Sequence, residues 1–231
     1  MRADRLMGIF VIIIMVGSIA GIAMYNTDDE VEPNTVAANE FEIKGNIFYE
    51  DLSQSSYNAI VSSSNGEALE VPFRADPRNM SHITIDDDAL LLIKNADKIY
   101  MVFDPNKPNF DDYKNNLQLA MGQVSRLISL VTINQVYPVS ALTADIPDET
   151  YDDEVPLKSC SDATDKTPVL FFKLDTSDSV TLEDNCIMVS GKTGESLIYT
   201  ADKLGMYLVG LRVWLVGSVK FHNTYKLISV T

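Results

Sequence analysis

The sequence predicts an α/β (or α+β) fold: an N-terminal transmembrane helix, then an extracytoplasmic mixed-sheet domain with two to three flanking helices and a C-terminal β-hairpin. Three observations carry this reading. Residues 6–25, LMGIFVIIIMVGSIAGIAMY, form an uncharged apolar run that follows Arg2 and Arg5. Residues 98–142 hold a short apolar segment, a long stretch of helical period and a second short apolar segment, the order of a βαβ unit. Two cysteines, Cys160 and Cys186, suit one disulfide in an exported domain.

The apolar run comes first. At ~1.5 Å per residue, ~20 helical residues cross a ~30 Å hydrocarbon core. Basic residues precede it, and Asp28, Asp29, Glu30 and Glu32 follow it, which orients the amino terminus to the cytoplasm. A cleaved signal peptide is the competing reading, because Ser18, Ala20, Gly21 and Ala23 offer small residues at cleavage positions. The run continues through both sites and exceeds the usual ~7–15-residue core, which favours a retained signal-anchor. The expected organisation is an anchor at 1–25, an acidic linker at 26–39 and an extracytoplasmic α/β domain at 40–231.

Within that domain, residues 40–49 (EFEIKGNIFY) alternate as a strand with one wet face. Residues 51–66 are rich in Ser and Asn and read as irregular. Residues 68–73 make a strand, and Pro77 turns the chain because it biases Asp76 away from helix. Its neighbours Arg74 and Arg78 read as partners of the many acids. Asp86, Asp87 and Asp88 open a short helix at the positive end of its dipole. Residues 98–103 form a buried strand. The best helix starts near Asp111, with Tyr113, Leu117, Ala120, Met121, Val124, Leu127, Ile128 and Val131 on one face, and only Leu119 and Leu130 break the stripe. Residues 135–142 return as a strand in which Pro138 suits a sheet edge. After an acidic loop, residues 168–174 and 180–190 read as two hairpin arms. Thr193 caps a helix with Leu197, Ile198, Ala201, Leu204, Gly205 and Leu208 on its inner stripe, ended by Gly210. Residues 211–230 are β-rich and read as a hairpin turning at His222, Asn223 and Thr224. A second span at 204–219 is rejected, since it holds Arg212 and is too short.

Composition excludes some functions. The 231 residues include 18 basic and 33 acidic ones, a net charge of −15, so phosphate backbones and anionic headgroups repel this surface. Nucleic acid is therefore not an expected partner. The acidic loop carries Asp145, Asp148, Glu149, Asp152, Asp153 and Glu154, weak candidates for a hard cation. It lacks the fixed spacing of a calcium loop and reads first as a solvated charge run. His82 and His222 are too isolated for a zinc site.

Residues 190–193, Ser-Gly-Lys-Thr, match only the end of a phosphate-binding loop, because Cys186 stands where the motif needs its first glycine. They read as a helix-start turn with Lys192 in solvent. No nucleophile motif is present, and His82 reads as a surface-loop residue. Asn79-Met80-Ser81 is an N-glycosylation sequon, relevant where a host glycosylates exported proteins. Trp214 is the one tryptophan, so no sugar-binding aromatic platform is suggested. No cofactor, no catalytic residue and no resident metal are expected. The expected role is a non-enzymatic interaction or assembly domain, held at the cell membrane by its single span and engaging another envelope protein. An anchored hydrolase using carboxylates and an acidic solute- or cation-binding module remain the alternatives.

Overall fold

Two sheets form where one mixed sheet was expected. The computed structural model describes residues 38–43, 45–62, 68–132, 136–144, 155–212 and 220–221, all within the compact unit Val36–Lys226. The expected anchor at 1–25, the expected linker up to residue 37, the acidic residues 145–154, Trp214 and the expected hairpin turn at His222 lie outside the described residues. Among the described residues, no helix is long and apolar enough to cross a membrane.

The first sheet is antiparallel throughout. It contains β1 (Ala38–Ile43), β2 (Asn46–Asp51), β3 (Ser56–Ser62) and β4 (Ala68–Phe73), with β11 (Lys220–Phe221) on the far side of β1. Phe41, Phe48, Ala59 and Val71 stand opposite one another in register and are at most 1% exposed, so this row faces the core. Residues 40–49 are thus two strands and not one. Gly45, at φ 80°, supplies the left-handed turn, and the inward positions change parity across it, from Phe41 and Ile43 to Phe48. Residues 51–66, expected to be irregular, hold β3. Their inward residues Tyr57, Ala59 and Val61 alternate with polar or exposed ones, a weak signal among so many serines. The part of the expected terminal hairpin that is described, β11, pairs with β1.

The second sheet has the order β5-β9-β10-β8-β6-β7, from β5 (Thr84–Ile85), β6 (Tyr100–Phe103), β7 (Val139–Leu142), β8 (Val169–Leu174), β9 (Ser179–Glu183) and β10 (Cys186–Gly191). Strands β7, β6, β8 and β10 run parallel, and β9 runs against β10. β7 is an edge strand beginning just after Pro138, as a residue without an N–H requires. Residues 168–190 are not a two-armed hairpin. The turn at Asp184 and Asn185 splits the second arm, and β10 inserts between β8 and β9 because its entirely buried residues suit an interior strand.

Helices α1 (Asp87–Lys94), α2 (Phe110–Val131) and α3 (Gly194–Leu208) cover one face of this sheet. On β10, Ile187 and Val189 join the core beneath the helices, while Cys186 and Met188 join a small cluster on the other face with Val102, Ala141 and Val169. The α2 stripe is buried as its period demands, and Leu119 and Leu130 emerge at 42% and 47% exposure. α3 is buried along nearly its whole length, because it also meets the first sheet and the segment after it. Burying each of its leucines contributes roughly 1.5–3 kcal/mol. Thr193 caps its start through the Ser196 N–H at 3.1 Å. At its end Gly210, φ 88°, lets Leu211 N–H reach the Met206 carbonyl at 2.8 Å and Gly210 N–H reach Tyr207 at 3.2 Å, a Schellman closure.

Candidate functional site

In open α/β sheets, ligand crevices form outside the carboxyl ends of parallel strands where the connections diverge. Here the chain leaves β6 through α2 toward β7, and leaves β8 the opposite way toward β9 and β10. The side chains at that end are Asp104, Lys173, Asp175, Asp178 and Lys192. Phe103 stacks on Phe110 at 5.6 Å between centroids, and Tyr113 meets Phe110 edge-on at the same distance. Burial, followed by the charge of Asp104, pushes the Tyr113 hydroxyl up. Lys173 Nζ lies 2.6 Å from Asp175 Oδ2 and holds that carboxyl below its usual range, helped by the Thr176 N–H.

Asp178 is the best-supported residue of this rim. Its Oδ1 accepts the Lys192 backbone N–H at 2.8 Å, and its Oδ2 lies 3.5 Å from His82 Nε2 and 3.8 Å from Lys192 Nζ. Burial pushes the carboxyl up. The Lys192 N–H, the Ser196 hydroxyl and the charges of Lys192 and His82 outweigh that effect and hold it below the ordinary value. An ionised carboxylate therefore orients an imidazole that is half exposed, its side chain 52% accessible.

The same geometry explains the Ser-Gly-Lys-Thr stretch. The amide of Lys192, where a phosphate loop would meet its ligand, is taken by the chain's own Asp178. Gly191 has a packing reason: a Cβ there would strike the backbone and Cβ of Leu197. Only glycine lets β10 enter α3 this closely. Lys192 faces solvent as expected, and His82 lies on an exposed loop.

A second polar group sits deeper on α3. Asp202 is fully buried, its Oδ2 accepting the N–H groups of Arg74 and Ala75, both at 2.7 Å, while Oδ1 has no donor. Burial dominates and pushes this carboxyl up to about 6, against those two hydrogen bonds and the charges of Arg74 and Arg126. Lys203, 2% exposed, donates to the carbonyls of Met80 and Ile83 at 2.8 and 2.6 Å, and burial lowers its ammonium. These two side chains clasp the segment that joins the sheets.

Arg78, expected to pair with acids, lies 2.8 Å from Asp76 and 3.6 Å from Glu50 and also stacks on Phe41. The sulfurs of Cys160 and Cys186 stand 2.05 Å apart, fitting the expected bridge. It pins the short 3-10 turn Cys160–Asp162 over the sheet face that the helices leave open. Asn79 is exposed, yet the middle residue of its sequon, Met80, is 1% exposed with its carbonyl held by Lys203. The acidic candidates Asp145, Asp148, Glu149, Asp152, Asp153 and Glu154 lie outside the described residues, and among those described no group of three or more His, Cys, Asp or Glu could hold a metal. Sequence reasoning passed over Asp178 and Asp202. For Asp202 the only local hint is the high apolar content of α3, which does not by itself say which of its charges is buried.

Comparison with known protein families, with characterised proteins and with solved structures finds no match for this chain.

Proposed function

We propose that this chain is a membrane-anchored extracytoplasmic protein acting as a non-enzymatic interaction or assembly domain at the cell envelope. Large apolar residues exposed on the outer side of the antiparallel sheet, Ile47 at 43% and Ile60 at 52%, carry the interaction reading. Apolar side chains left in water on neighbouring strands of an acid-rich surface suit contact with a protein partner. The compartment rests on the charged flanks of the apolar run at 6–25 and on the bonding distance between Cys160 and Cys186.

The test uses the full chain in its native host. Thiol labelling of the denatured, unreduced protein should find no free thiol, and two free thiols would refute the extracytoplasmic placement. Gentle solubilisation of membranes should release the chain in a complex larger than itself. A chain recovered only from the soluble fraction, or only as a monomer, overturns the reading.

A further inference from the structure

The outer face of the antiparallel sheet has a definite pattern. Glu40, Tyr49, Asn58 and Pro72 stand opposite one another across β1, β2, β3 and β4. One step along, Glu42 opposes Ile47, and Ile60 opposes Glu70. The central strands thus present Ile47, Tyr49 and Ile60, β1 presents Glu40 and Glu42 on one side, with Lys220 of β11 standing opposite Glu42, and β4 presents Glu70 on the other. An apolar centre with a charged rim is the anatomy of an interface.

The rim also says what fits. Burial, followed by the charges of Glu40 and Glu70, raises the Tyr49 hydroxyl, so both carboxylates act on the centre of the patch. A second copy of this chain laid face to face would bring like-charged glutamates together, at a cost that rises as water is excluded.

We infer that the outer face of β1–β4 docks a different protein, one presenting an apolar strip flanked by lysine or arginine side chains. This inference rests on the interaction-domain reading above. It names the surface and the chemistry of the partner.

The test places a photo-crosslinking residue at Ile60 in the full chain, in its native host, with controls at Leu91 and Leu119, two exposed leucines on α1 and α2. Ile60 should give a discrete adduct whose partner peptide carries Lys or Arg beside apolar residues. Glu42→Lys and Glu70→Lys should reduce that adduct by about tenfold, since each reversal removes an attraction and adds a repulsion. Melting midpoints within about 3 °C of the parent show that the variants fold. An adduct with a second copy, or one indifferent to charge reversal, overturns the inference. Adducts from Leu91 or Leu119 but not Ile60 overturn this surface and leave the interaction reading standing. No adduct from any of the three positions overturns both.

Discussion

Asp178, just before β9 and bonded to the Lys192 amide at the entry to α3, and Asp202, within α3, both accept backbone N–H groups at 2.7–2.8 Å, yet their carboxyls move in opposite directions. Asp178, just before β9, adds an ammonium, an imidazole and a hydroxyl to its one backbone donor and stays easy to ionise. Asp202, roughly two turns into α3, has two backbone donors on one oxygen and nothing on the other, and is sealed from water. Hydrogen bonds alone therefore do not decide the sign. What decides it is whether the rest of the carboxylate is solvated or charge-compensated. Oδ1 of Asp202 can also take a proton without breaking either bond to Oδ2. The upper end of α3 is built to hold a charge, and the lower part is built to hold the chain together.

The largest test of that contrast is steric. Gly191→Ala should cost about 3 kcal/mol or more, because the new Cβ meets backbone atoms of Leu197 that cannot swing away. Gly205→Ala meets the tip of Leu127, a movable side chain, and gains helix propensity, so its cost should be nearer 1 kcal/mol. Urea unfolding of both variants checks the ratio; equal losses would remove the distinction.

The next test is pH. The folded Asp202 carboxyl, at about 6, stands above the ~3.9 of an unfolded aspartate, so the folded chain binds the extra proton between those values. Its contribution is complete below about pH 4 and is lost as pH rises through 6, about 3 kcal/mol over the window. Asp202→Asn keeps the acceptor for Arg74 and Ala75 and removes the charge. It should flatten the profile between pH 4 and 7 and match or exceed the parent at pH 7. A variant that retains the parent's slope refutes the assignment.

Asp178 predicts the reverse sign and a smaller effect. Its lowered carboxyl contributes stability above about pH 4 that is lost as pH falls through the folded value. Asp178→Asn should lose about 1 kcal/mol at pH 7, since the amide still accepts from Lys192 but no longer pairs with the ammonium or His82. The smallest effect belongs to His82→Ala. With a half-exposed imidazole 3.5 Å from the carboxylate, it should cost less than about 0.5 kcal/mol. Chemical denaturation of the two variants side by side sets their order; a larger loss for His82→Ala would make the imidazole the structural partner.

Periodicity made the second half of the domain readable. The α2 and α3 stripes, the Thr193 cap, the Gly210 stop and the edge position after Pro138 follow from spacing, because helix faces and backbone restrictions are local. The antiparallel sheet was harder to see. Its alternation slips by one residue at Gly45, and in β3 serines and asparagine dilute it, so two strands merged and a third vanished. The insertion of β10 between β8 and β9 has no local signature at all. Nor has the candidate rim, since Asp178 and His82 are far apart in the chain and meet only when β9 lies beside β5.

Composition and local pattern were enough to settle the mixed α/β character, the three helices and their buried faces, and the cysteines as natural partners. These depend on a few neighbouring residues and on bulk solvation. The fold alone settled the pairing of strands into two sheets, the burial of Asp202 and Lys203 between them, the closing of the Lys192 amide by Asp178, and the glutamate-flanked apolar patch. Each of those is a meeting of residues distant in sequence, whose energy depends on who else is nearby and on how much water is left.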